Sequence, residues 1–331
     1  MKRPRLTSSW PSVWSTACAR ATPLGSCPSD CGARPAPRCD RILEKNAGFA
    51  LHSHRTTSSR DGTLTQTDQR PQRVVQISDC HLFASTDGRL LGLNTEDSLK
   101  LVLDRVAREQ PNMDVILATG DLSQDGSVTA YDRFRQHLER FKKPSYWLQG
   151  NHDLTQPMVN TLGGKSHLSP CLIEQGGWRI IMLNSSVEHE VPGCFQPSEL
   201  EFLQAALEKS RGHHTLVCLH HHPLPMGCAW LDTQVVKNAV DFWKVIDAFD
   251  HVRAIIWGHV HQASDQQRKG VRLMSVPSTC VQFKPHSKDF AVDDVAPGYR
   301  WLDLHADGRI DTEVSRVEGV KFKVDFSVKG Y

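Results

Sequence analysis

The chain has 331 residues, of which 39% are hydrophobic and 23% charged, and its formal net charge is +2. This is the composition of an ordinary globular protein with one large or two modest domains. No segment approaches the roughly 18 consecutive apolar residues of a membrane span, so we expect a soluble protein without a membrane partner.

Residues 1–70 differ from the remainder in charge and pattern. They carry 11 Lys/Arg against 5 Asp/Glu, so the rest of the chain is slightly acidic and we infer no nucleic-acid surface on it. Stretches such as "TPLGSCPSDCGARPAPRCD" show neither a helical nor a strand period. We expect residues 1–72 to be a disordered leader or to follow from a start codon placed too far upstream. Binding of nucleic acid by this basic leader is a further alternative.

The spacing of the ten cysteines indicates whether the protein works in a reducing or an oxidising compartment. Four fall within the first 40 residues, and the other six are scattered without paired spacing. This pattern is typical of free thiols in a reducing environment and not of a disulfide framework. We therefore predict a cytoplasmic protein.

From Arg73 onward the sequence alternates between strand-like runs and helical periods. The predicted strands are RVVQISD (73–79), DVILATGD (114–121), SYWLQGNHD (145–153), WRIIMLNSS (178–186), HTLVCLHHH (214–222) and VRAIIWGHVH (252–261). The predicted helices follow an N-cap at Thr95, cover residues 127–140 and 197–210, and present Phe242, Val245, Ile246 and Phe249 on one face. The C-terminal part predicts hairpins, with a turn at Asp307-Gly308.

Five of the predicted strands end in residues that bind metals: "SDCH", "TGDLSQD", "QGNHD", "LHHHP" and "WGHVH". In α/β architectures the active site collects at the carboxyl ends of the strands, where the loops converge. No repeat or linker interrupts this part of the chain. We therefore predict one catalytic domain at residues 73–315, followed by a tail at residues 316–331.

The residue types at these strand ends favour a metal site. Asp79 and His81 are one residue apart, so on an extended strand end both side chains would point to the same side, and His259 and His261 repeat this spacing. Carboxylate, imidazole and amide oxygen suit ions such as Fe, Mn or Zn. Seven ligands suit two ions that share a bridging carboxylate. The candidates are Asp79, His81, Asp121, Asn151, His220, His259 and His261.

Five motifs, taken in order, resemble those of the calcineurin-like metallophosphoesterases. They are "DCH" (79–81), "GDLSQD" (120–125), "GNHD" (150–153), "HHHP" (220–223) and "GHVH" (258–261). In addition, "LLGLNT", "HHHPLPMGCAWLD", "PSTCVQFKPH" and "LHADGRI" are similar to the bacterial class III 3′,5′-cyclic AMP phosphodiesterases, the CpdA group. The resemblance covers residues 73–315. It implies an α/β four-layer sandwich in which two mixed β-sheets are flanked by helices.

The resemblance also implies roles for individual residues. Asp79, His81 and His261 would hold one metal, Asn151, His220 and His259 the other, and Asp121 would bridge them. It favours Fe²⁺, with Mn²⁺ as a substitute. A hydroxide between the two metals would attack the phosphorus of cyclic AMP and release 5′-AMP, which lowers cyclic AMP in bacterial signalling. Asp121 and His152 would be catalytic, with His152 binding the phosphate or protonating the leaving oxygen. The substrate would contact His81, Asp121, Asn151, His152, His220 and His261.

Several alternatives remain open at this point. The substrate could be another phosphodiester, such as a 2′,3′-cyclic nucleotide, a glycerophosphodiester or a nucleotide-lipid precursor, because a metal site demands only an accessible phosphate. A non-catalytic scaffold is a rival from another class. The sequence leaves open whether His222, Trp230 and Phe283 contact substrate, and whether the protein is a monomer or a homodimer. His221 is expected to face away from the metals.

Overall fold

The structure is a computed structural model that describes residues 70–164, 167–328 and 330. Almost all of the predicted leader, residues 1–72, lies outside the described residues. Within the described ranges, no helix has the length and apolar character needed to cross a membrane. The six cysteines of these ranges are all unpaired.

Strands and helices alternate through the described part of the chain. The strands are β1 (Gln72–Ile77), β2 (Arg89–Leu90), β3 (Leu93–Asn94), β4 (Val115–Thr119), β5 (Ser145–Leu148), β6 (Cys171–Gln175), β7 (Trp178–Met182), β8 (His214–Leu219), β9 (Val252–Trp257), β10 (Ser264–Arg268), β11 (Val271–Ser275), β12 (Gln282–Phe283), β13 (Val292–Asp293), β14 (Gly298–Leu304) and β15 (Ile310–Arg316). The helices are α1 (Thr95–Glu109), α2 (Val128–Glu139), α3 (Thr155–Leu162), α4 (Pro197–Lys209) and α5 (Ala239–Ile246), with a 3₁₀ helix at Leu231–Gln234.

Most strands belong to two mixed sheets. The first has the order β15-β14-β1-β4-β5, in which β1, β4 and β5 are parallel and β14 and β15 form an antiparallel hairpin. The second has the order β10-β11-β9-β8-β7-β6, with four parallel strands in the middle and an antiparallel strand at each edge. The central strands are almost continuously apolar because both of their faces are covered.

Alternation along each strand sorts the side chains into three apolar layers. In β1, Val75 packs with the buried face of α1, including Leu99 and Val102. Its neighbour Val74 points the other way, into a layer between the two sheets that includes Leu216 of β8. Helices α4 and α5 cover the outer face of the second sheet. The result is a four-layer α/β sandwich, which confirms the predicted fold class.

Several boundaries differ from the prediction. Helix α1 is capped by Asn94 and not by Thr95, since the Asn94 side chain accepts a hydrogen bond from the backbone N–H of Asp97 at 2.9 Å. Helix α5 ends at Ile246, so Phe249 lies in the following turn, where its N–H donates to the Ile246 carbonyl. Short elements such as α3 and β6 were not predicted. The predicted turn is present between β14 and β15, with Gly308 at φ 88°.

The chain continues past β15 along the folded body. The Asp325 N–H donates to the Leu91 carbonyl at 2.8 Å. Phe322, Val324 and Val328 pack against the apolar layer beneath α4 and α5. Residues of the predicted tail therefore contribute to the packed structure.

Candidate active site

The carboxyl ends of five strands bring all seven predicted ligands together. Strands β1, β4 and β5 of the first sheet are followed by Asp79 and His81, by Asp121, and by Asn151. Strands β8 and β9 of the second sheet are followed by His220 and by His259 and His261. Parallel strands end at the same edge of a sheet, so both sheets deliver polar groups to one place. Asn151 is half-buried, and the other six are at most 5% exposed.

The local backbone differs from the prediction. The expectation that Asp79 and His81 lie on an extended strand end is wrong, because their φ angles are 55° and 47°. Asp121, His259 and His261 also have positive φ, at 50°, 65° and 48°. Each such non-glycine residue costs about 1 kcal/mol or more, and strain of this kind concentrates at functional sites. The chain therefore leaves β1, β4 and β9 through left-handed residues, which turn these side chains toward the site.

Backbone contacts between the strand ends hold this conformation. The N–H of Asp79 donates to the Gly120 carbonyl and that of His81 to the Asp121 carbonyl, both at 2.9 Å. The Asp79 carboxylate accepts from the His259 N–H at 3.0 and 3.1 Å. The first two contacts join the ends of β1 and β4, and the last joins the first sheet to the second.

One group of ligands lies around His81 and His261. Their Nε2 atoms are 3.2 Å apart, and the His261 Nε2 is 3.5 Å from Asp79 Oδ1. The Val281 carbonyl faces the His261 Nδ1 at 2.8 Å, and Gln124 Oε1 faces the His81 Nδ1 at 2.6 Å. Because a neutral imidazole carries one N–H, both protons lie on Nδ1. The two Nε2 lone pairs then point at one another.

A second group lies around His220. Its Nδ1 donates to the Thr119 carbonyl at 2.8 Å, and its Nε2 lies 3.2 Å from Asp121 Oδ2 and 3.3 Å from Asn151 Oδ1. The buried His259 Nε2 has no hydrogen-bond partner within the described ranges. Asp121 lies between the groups, since the same Oδ2 is 3.9 Å from the His81 Nε2. Its Oδ1 accepts from the His152 N–H at 2.9 Å.

This convergence of electron pairs fits divalent cations. Four imidazole rings, two carboxylates and one amide oxygen face each other, and contacts on the Nδ1 of His81, His220 and His261 are typical of metal-bound histidines. Burial lowers the pKa of His81 to about 3, which keeps its ring neutral. Burial also lowers the pKa of His220, but the Asp121 charge outweighs this and raises it above the usual range. A cation would balance that carboxylate instead.

The glycines before Asp121 and Asn151 permit close approach as well as turning. A Cβ on Gly120, whose φ is 93°, would collide with the His220 ring and lie 2.9 Å from the Gly150 nitrogen. A Cβ on Gly150 would collide with the Asp121 carboxylate. Both positions are therefore restricted to glycine by the packing of the ligands themselves.

The neighbours of His220 have different surroundings. His221 is held by the protein at both ring nitrogens, with Ser185 Oγ at 2.9 Å and the Val191 carbonyl at 3.0 Å. His222 is also buried, stacks on the His259 ring at 5.7 Å between centroids, and has its Nε2 3.9 Å from Asp232 Oδ1. His220 alone of the three contacts Asp121 and Asn151 in this part of the structure.

Two residues near the ligands were not assigned a place from the sequence. Gln124, within the motif "GDLSQD", orients His81 because its side-chain oxygen contacts the His81 Nδ1. Cys280 lies close enough to His81 and His261 to form a three-residue cluster, but its thiol contacts Ser278 Oγ and the Asp79 carbonyl, and burial raises its pKa to about 12. Cys280 belongs to a loop that is distant in sequence from the ligands of the first sheet. This loop is held beside Asp79 because the Ser278 hydroxyl donates to the Asp79 carbonyl across 199 residues.

The sequence matches a known family over most of the sandwich. Residues 72–263 match the family described as "Calcineurin-like phosphoesterase". The chain belongs to this family. Membership implies a dinuclear centre of divalent metal ions, for which the buried donors described above provide candidate ligands.

This calcineurin-like phosphoesterase has close relatives of nearly the same length as its described part. It is 46% identical over 258 residues to "3′,5′-cyclic adenosine monophosphate phosphodiesterase CpdA" from Pseudomonas aeruginosa, covering 78% of this chain and 94% of the relative. It is 42% identical over 271 residues to the protein of the same name from Escherichia coli strain K12, covering 81% of this chain and 98% of the relative.

Solved structures of distant proteins share the fold. A dimetal phosphatase from Danio rerio has a TM-score of 0.53 at 16% identity, and the alignment covers 76% of this chain and 100% of that one. The purple acid phosphatase PPD1 from yellow lupin also has a TM-score of 0.53, at 13% identity, covering 76% of this chain and 52% of that one. At these identities the likeness shows the fold alone.

Proposed function

We propose that this protein is a dinuclear-metal phosphodiesterase that hydrolyses 3′,5′-cyclic AMP to 5′-AMP and so lowers cyclic AMP in bacterial signalling. The convergence of buried imidazole lone pairs and carboxylates at the ends of five strands supports metal-dependent hydrolysis. The choice of cyclic AMP is supported by relatives at 42–46% identity that carry this activity in their names and align over almost their whole length.

In this proposal the two groups of ligands hold two divalent ions. Asp79, His81 and His261 would hold one, Asn151, His220 and His259 would hold the other, and Asp121, which lies between the two groups, would serve both. Fe²⁺ is the proposed native ion with Mn²⁺ as a substitute, since the donor set suits either. When bound, such a pair acidifies water and offsets the negative charge of the phosphoryl oxygens.

The protein's own side chains orient the substrate and move a proton. His152 lines the cavity beside the ligands, and its ring lies edge-on to His81 at 5.0 Å between centroids. We assign it the proton that the leaving 3′ oxygen needs, or a hydrogen bond to the phosphate. Asp121 is the second catalytic residue. The phosphate is proposed to lie against His81, Asp121, Asn151, His152, His220 and His261.

The Asp153 carboxylate holds the loop that carries His152. It accepts from the Gly150 N–H at 2.9 Å, from the Ser123 N–H at 3.0 Å and from the Tyr131 hydroxyl at 3.0 Å. It therefore fastens the loop that carries Asn151 and His152 to the loop that carries Asp121. This arrangement supports a role for Asp153 in fixing the loop that carries His152.

Other parts of the proposal stay predictions: a cytoplasmic location, a monomer or homodimer, and no nucleic-acid or membrane partner. Two alternatives for the activity also stand. The site could serve another phosphodiester, such as a 2′,3′-cyclic nucleotide, a glycerophosphodiester or a nucleotide-lipid precursor. A non-catalytic scaffold is the other, but scaffolds of this kind are expected to lack some ligands, and this chain has all seven.

One experiment separates these possibilities. The purified protein is loaded with Fe²⁺ or Mn²⁺, its metal content is measured, and it is incubated with cyclic AMP, cyclic GMP, 2′,3′-cyclic AMP or bis(p-nitrophenyl) phosphate. We expect about two metal ions per chain and 5′-AMP as the chromatographic product from cyclic AMP. Turnover of bis(p-nitrophenyl) phosphate without turnover of cyclic AMP would favour another phosphodiester. No turnover of any substrate by the metal-loaded protein would favour the scaffold.

A further inference from the structure

A cavity of about 240 Å³ opens beside the proposed metal ligands, and two kinds of residues line it. One kind is polar and belongs to the site already described: Asp121, Asn151, His152 and His259. The other kind is aromatic or uncharged: Trp230, Gln234, Phe283 and Phe290. Such a cavity suits a ligand with a phosphate on one side and a flat ring on the other.

The three aromatic side chains form one packed cluster. The ring of Trp230 meets those of Phe283 and Phe290 edge-on, at 5.0 Å between centroids in both cases, and the two phenyl rings are 5.5 Å apart. The cluster contacts the metal ligands, because Phe283 stacks on the His261 ring at 4.1 Å and 9°. The indole N–H of Trp230 donates to Ser287 Oγ at 3.1 Å, which fixes the ring. The aromatic cluster is therefore a rigid apolar surface next to the proposed position of the phosphate.

Gln234 is a polar side chain at this otherwise apolar part of the cavity. It ends the 3₁₀ helix Leu231–Gln234, four residues after Trp230, and is half-buried. Its side-chain amide makes no hydrogen bond to another residue in the described ranges. The amide offers a donor and an acceptor side by side. Both are thus available to a ligand in the cavity.

The short helix that carries Gln234 is well anchored. Leu231 is fully buried, and the carboxylate of Asp232 accepts from the backbone N–H groups of Met226 and Gly227 at 2.6 and 3.1 Å. The Thr233 hydroxyl donates to the Trp230 carbonyl at 2.6 Å. These contacts hold Gln234 and Trp230 in a fixed relation before any ligand binds. Preorganisation of this kind favours specific recognition.

We propose that Gln234 is a specificity-determining residue that reads the edge of the nucleobase, while the base lies on the aromatic cluster; this inference rests on the proposed function. Adenine presents its N6 amino donor next to a ring-nitrogen acceptor, which matches the oxygen and the NH₂ of the Gln234 amide. Guanine presents the two acceptors O6 and N7 on the corresponding edge, so one half of the amide is mismatched. Gln234 therefore favours cyclic AMP over cyclic GMP.

The test uses metal-loaded full-length protein with two substitutions at this position. Gln234→Ala removes the amide, and Gln234→Glu keeps its size but replaces the donor with an acceptor. Gln267→Ala, at an exposed position of β10 away from the cavity, is the matched control. The substrates are cyclic AMP, cyclic GMP and bis(p-nitrophenyl) phosphate, which has no nucleobase. Binding of 5′-AMP is measured separately by titration calorimetry.

We expect both Gln234 variants to lower kcat/KM for cyclic AMP about tenfold, mainly through KM, and to weaken 5′-AMP binding by a similar factor. The ratio of kcat/KM for cyclic AMP to that for cyclic GMP should fall accordingly. Hydrolysis of bis(p-nitrophenyl) phosphate should stay at the wild-type rate, and Gln267→Ala should leave every value unchanged.

The inference is overturned if the cyclic AMP to cyclic GMP ratio stays at its wild-type value, or if the rates on all three substrates fall together. Its failure can be told apart from that of the proposed function. If the wild-type protein does not hydrolyse cyclic AMP, the proposed function fails, and calorimetry with 5′-AMP decides the inference alone. An unchanged Kd in Gln234→Ala would then reject base reading, whereas a tenfold weaker one would support it.

Discussion

At the residue scale, His152 is the ionisable side chain most directly exposed to a substrate in the cavity. Its backbone N–H donates to the Asp121 carboxylate at 2.9 Å, and its ring forms a cluster with His81 and Asp121 whose potential ligand atoms lie within 4.8 Å of one another. A substitution of the side chain therefore spares that hydrogen bond. We predict that His152→Ala lowers kcat for cyclic AMP by about 10²- to 10⁴-fold, the usual contribution of a general acid. Steady-state kinetics and metal analysis on the same preparation measure this, and we expect the metal content to be unchanged.

His189→Ala is the control for this prediction, because His189 is an exposed histidine outside the motifs. It should leave both kcat and metal content unaltered. If His152→Ala loses activity and metal in parallel, His152 is a ligand and not a proton donor. An unaltered kcat would point to another acid.

A second residue-scale prediction concerns how Asp247, which is not one of the candidate ligands, affects stability as the pH changes. Hydrogen bonds from Arg268 and the nearby Lys269 lower the pKa of Asp247 to about 2, from a reference of 3.8. A carboxyl with a lowered folded-state pKa stabilises the protein above the unfolded pKa and loses that effect as pH falls through the folded one. All three side chains are at least a quarter exposed, so we expect at most about 1 kcal/mol.

Asp247→Asn should therefore lower the Tm slightly at pH 6, and the difference from wild type should shrink between about pH 4 and pH 2. Thermal unfolding at low ionic strength measures it, since salt screens such pairs. A difference that stays constant down to pH 2 would show that the carboxylate charge does not contribute.

At the element scale, Gly258 is the point where β9 meets the ends of β1 and β4. A Cβ at this position would collide with the Ser78 hydroxyl and lie 2.8 Å from the Thr119 carbonyl and 2.9 Å from Asp79 Oδ2. Contacts under 3.0 Å with backbone atoms force a displacement. The strand ends that carry Asp79 and His259 would then separate.

We predict that Gly258→Ala lowers stability by about 1–3 kcal/mol and also lowers metal affinity. Gly177→Ala is the matched control, because its Cβ position has no atom of another described residue within 4 Å, apart from its chain neighbours. Denaturant unfolding and metal titration of both variants test this. Equal behaviour of the two alanine variants would mean that the junction can adjust without cost.

At the scale of the whole molecule, the candidate ligands come from both sheets. Asp79, Asp121 and Asn151 follow strands of the first sheet, and His220 and His259 follow strands of the second. Metal ions held by both sets would link the two sheets at one edge of the sandwich. Binding to the folded state alone stabilises it in proportion to ln(1 + [L]/Kd).

We therefore predict that chelation of the metals lowers the Tm, and that Mn²⁺ restores it in a concentration-dependent way. At a metal concentration about a hundred times Kd the expected gain is about 2.7 kcal/mol. Scanning calorimetry of the chelated and reloaded protein measures this. Mg²⁺, which prefers oxygen ligands, serves as the comparison and should restore less. A Tm independent of Mn²⁺ would contradict a metal link between the sheets.

The sequence by itself determined the residue types and their order along the chain. Apolar runs such as "VILAT" must be buried, and the polar groups directly after them, among them Asp121, must then lie at a sheet edge. Alternation of strands with amphipathic helices was enough for the layered α/β architecture. These features depend on local patterns, in which hydrophobic burial and strand or helix periodicity leave few alternatives.

Only the tertiary structure decided how the groups face each other. Contacts between distant parts of the chain decide three features of the site. These are the left-handed φ of Asp79, the hydrogen bond between the His261 ring and the Val281 carbonyl, and the position of Gln234 at the cavity. The Asp79 carboxylate, for example, meets the His259 N–H across 180 residues. Local periodicity carries no information about such pairings, because they arise only when two sheets pack and their strand ends meet.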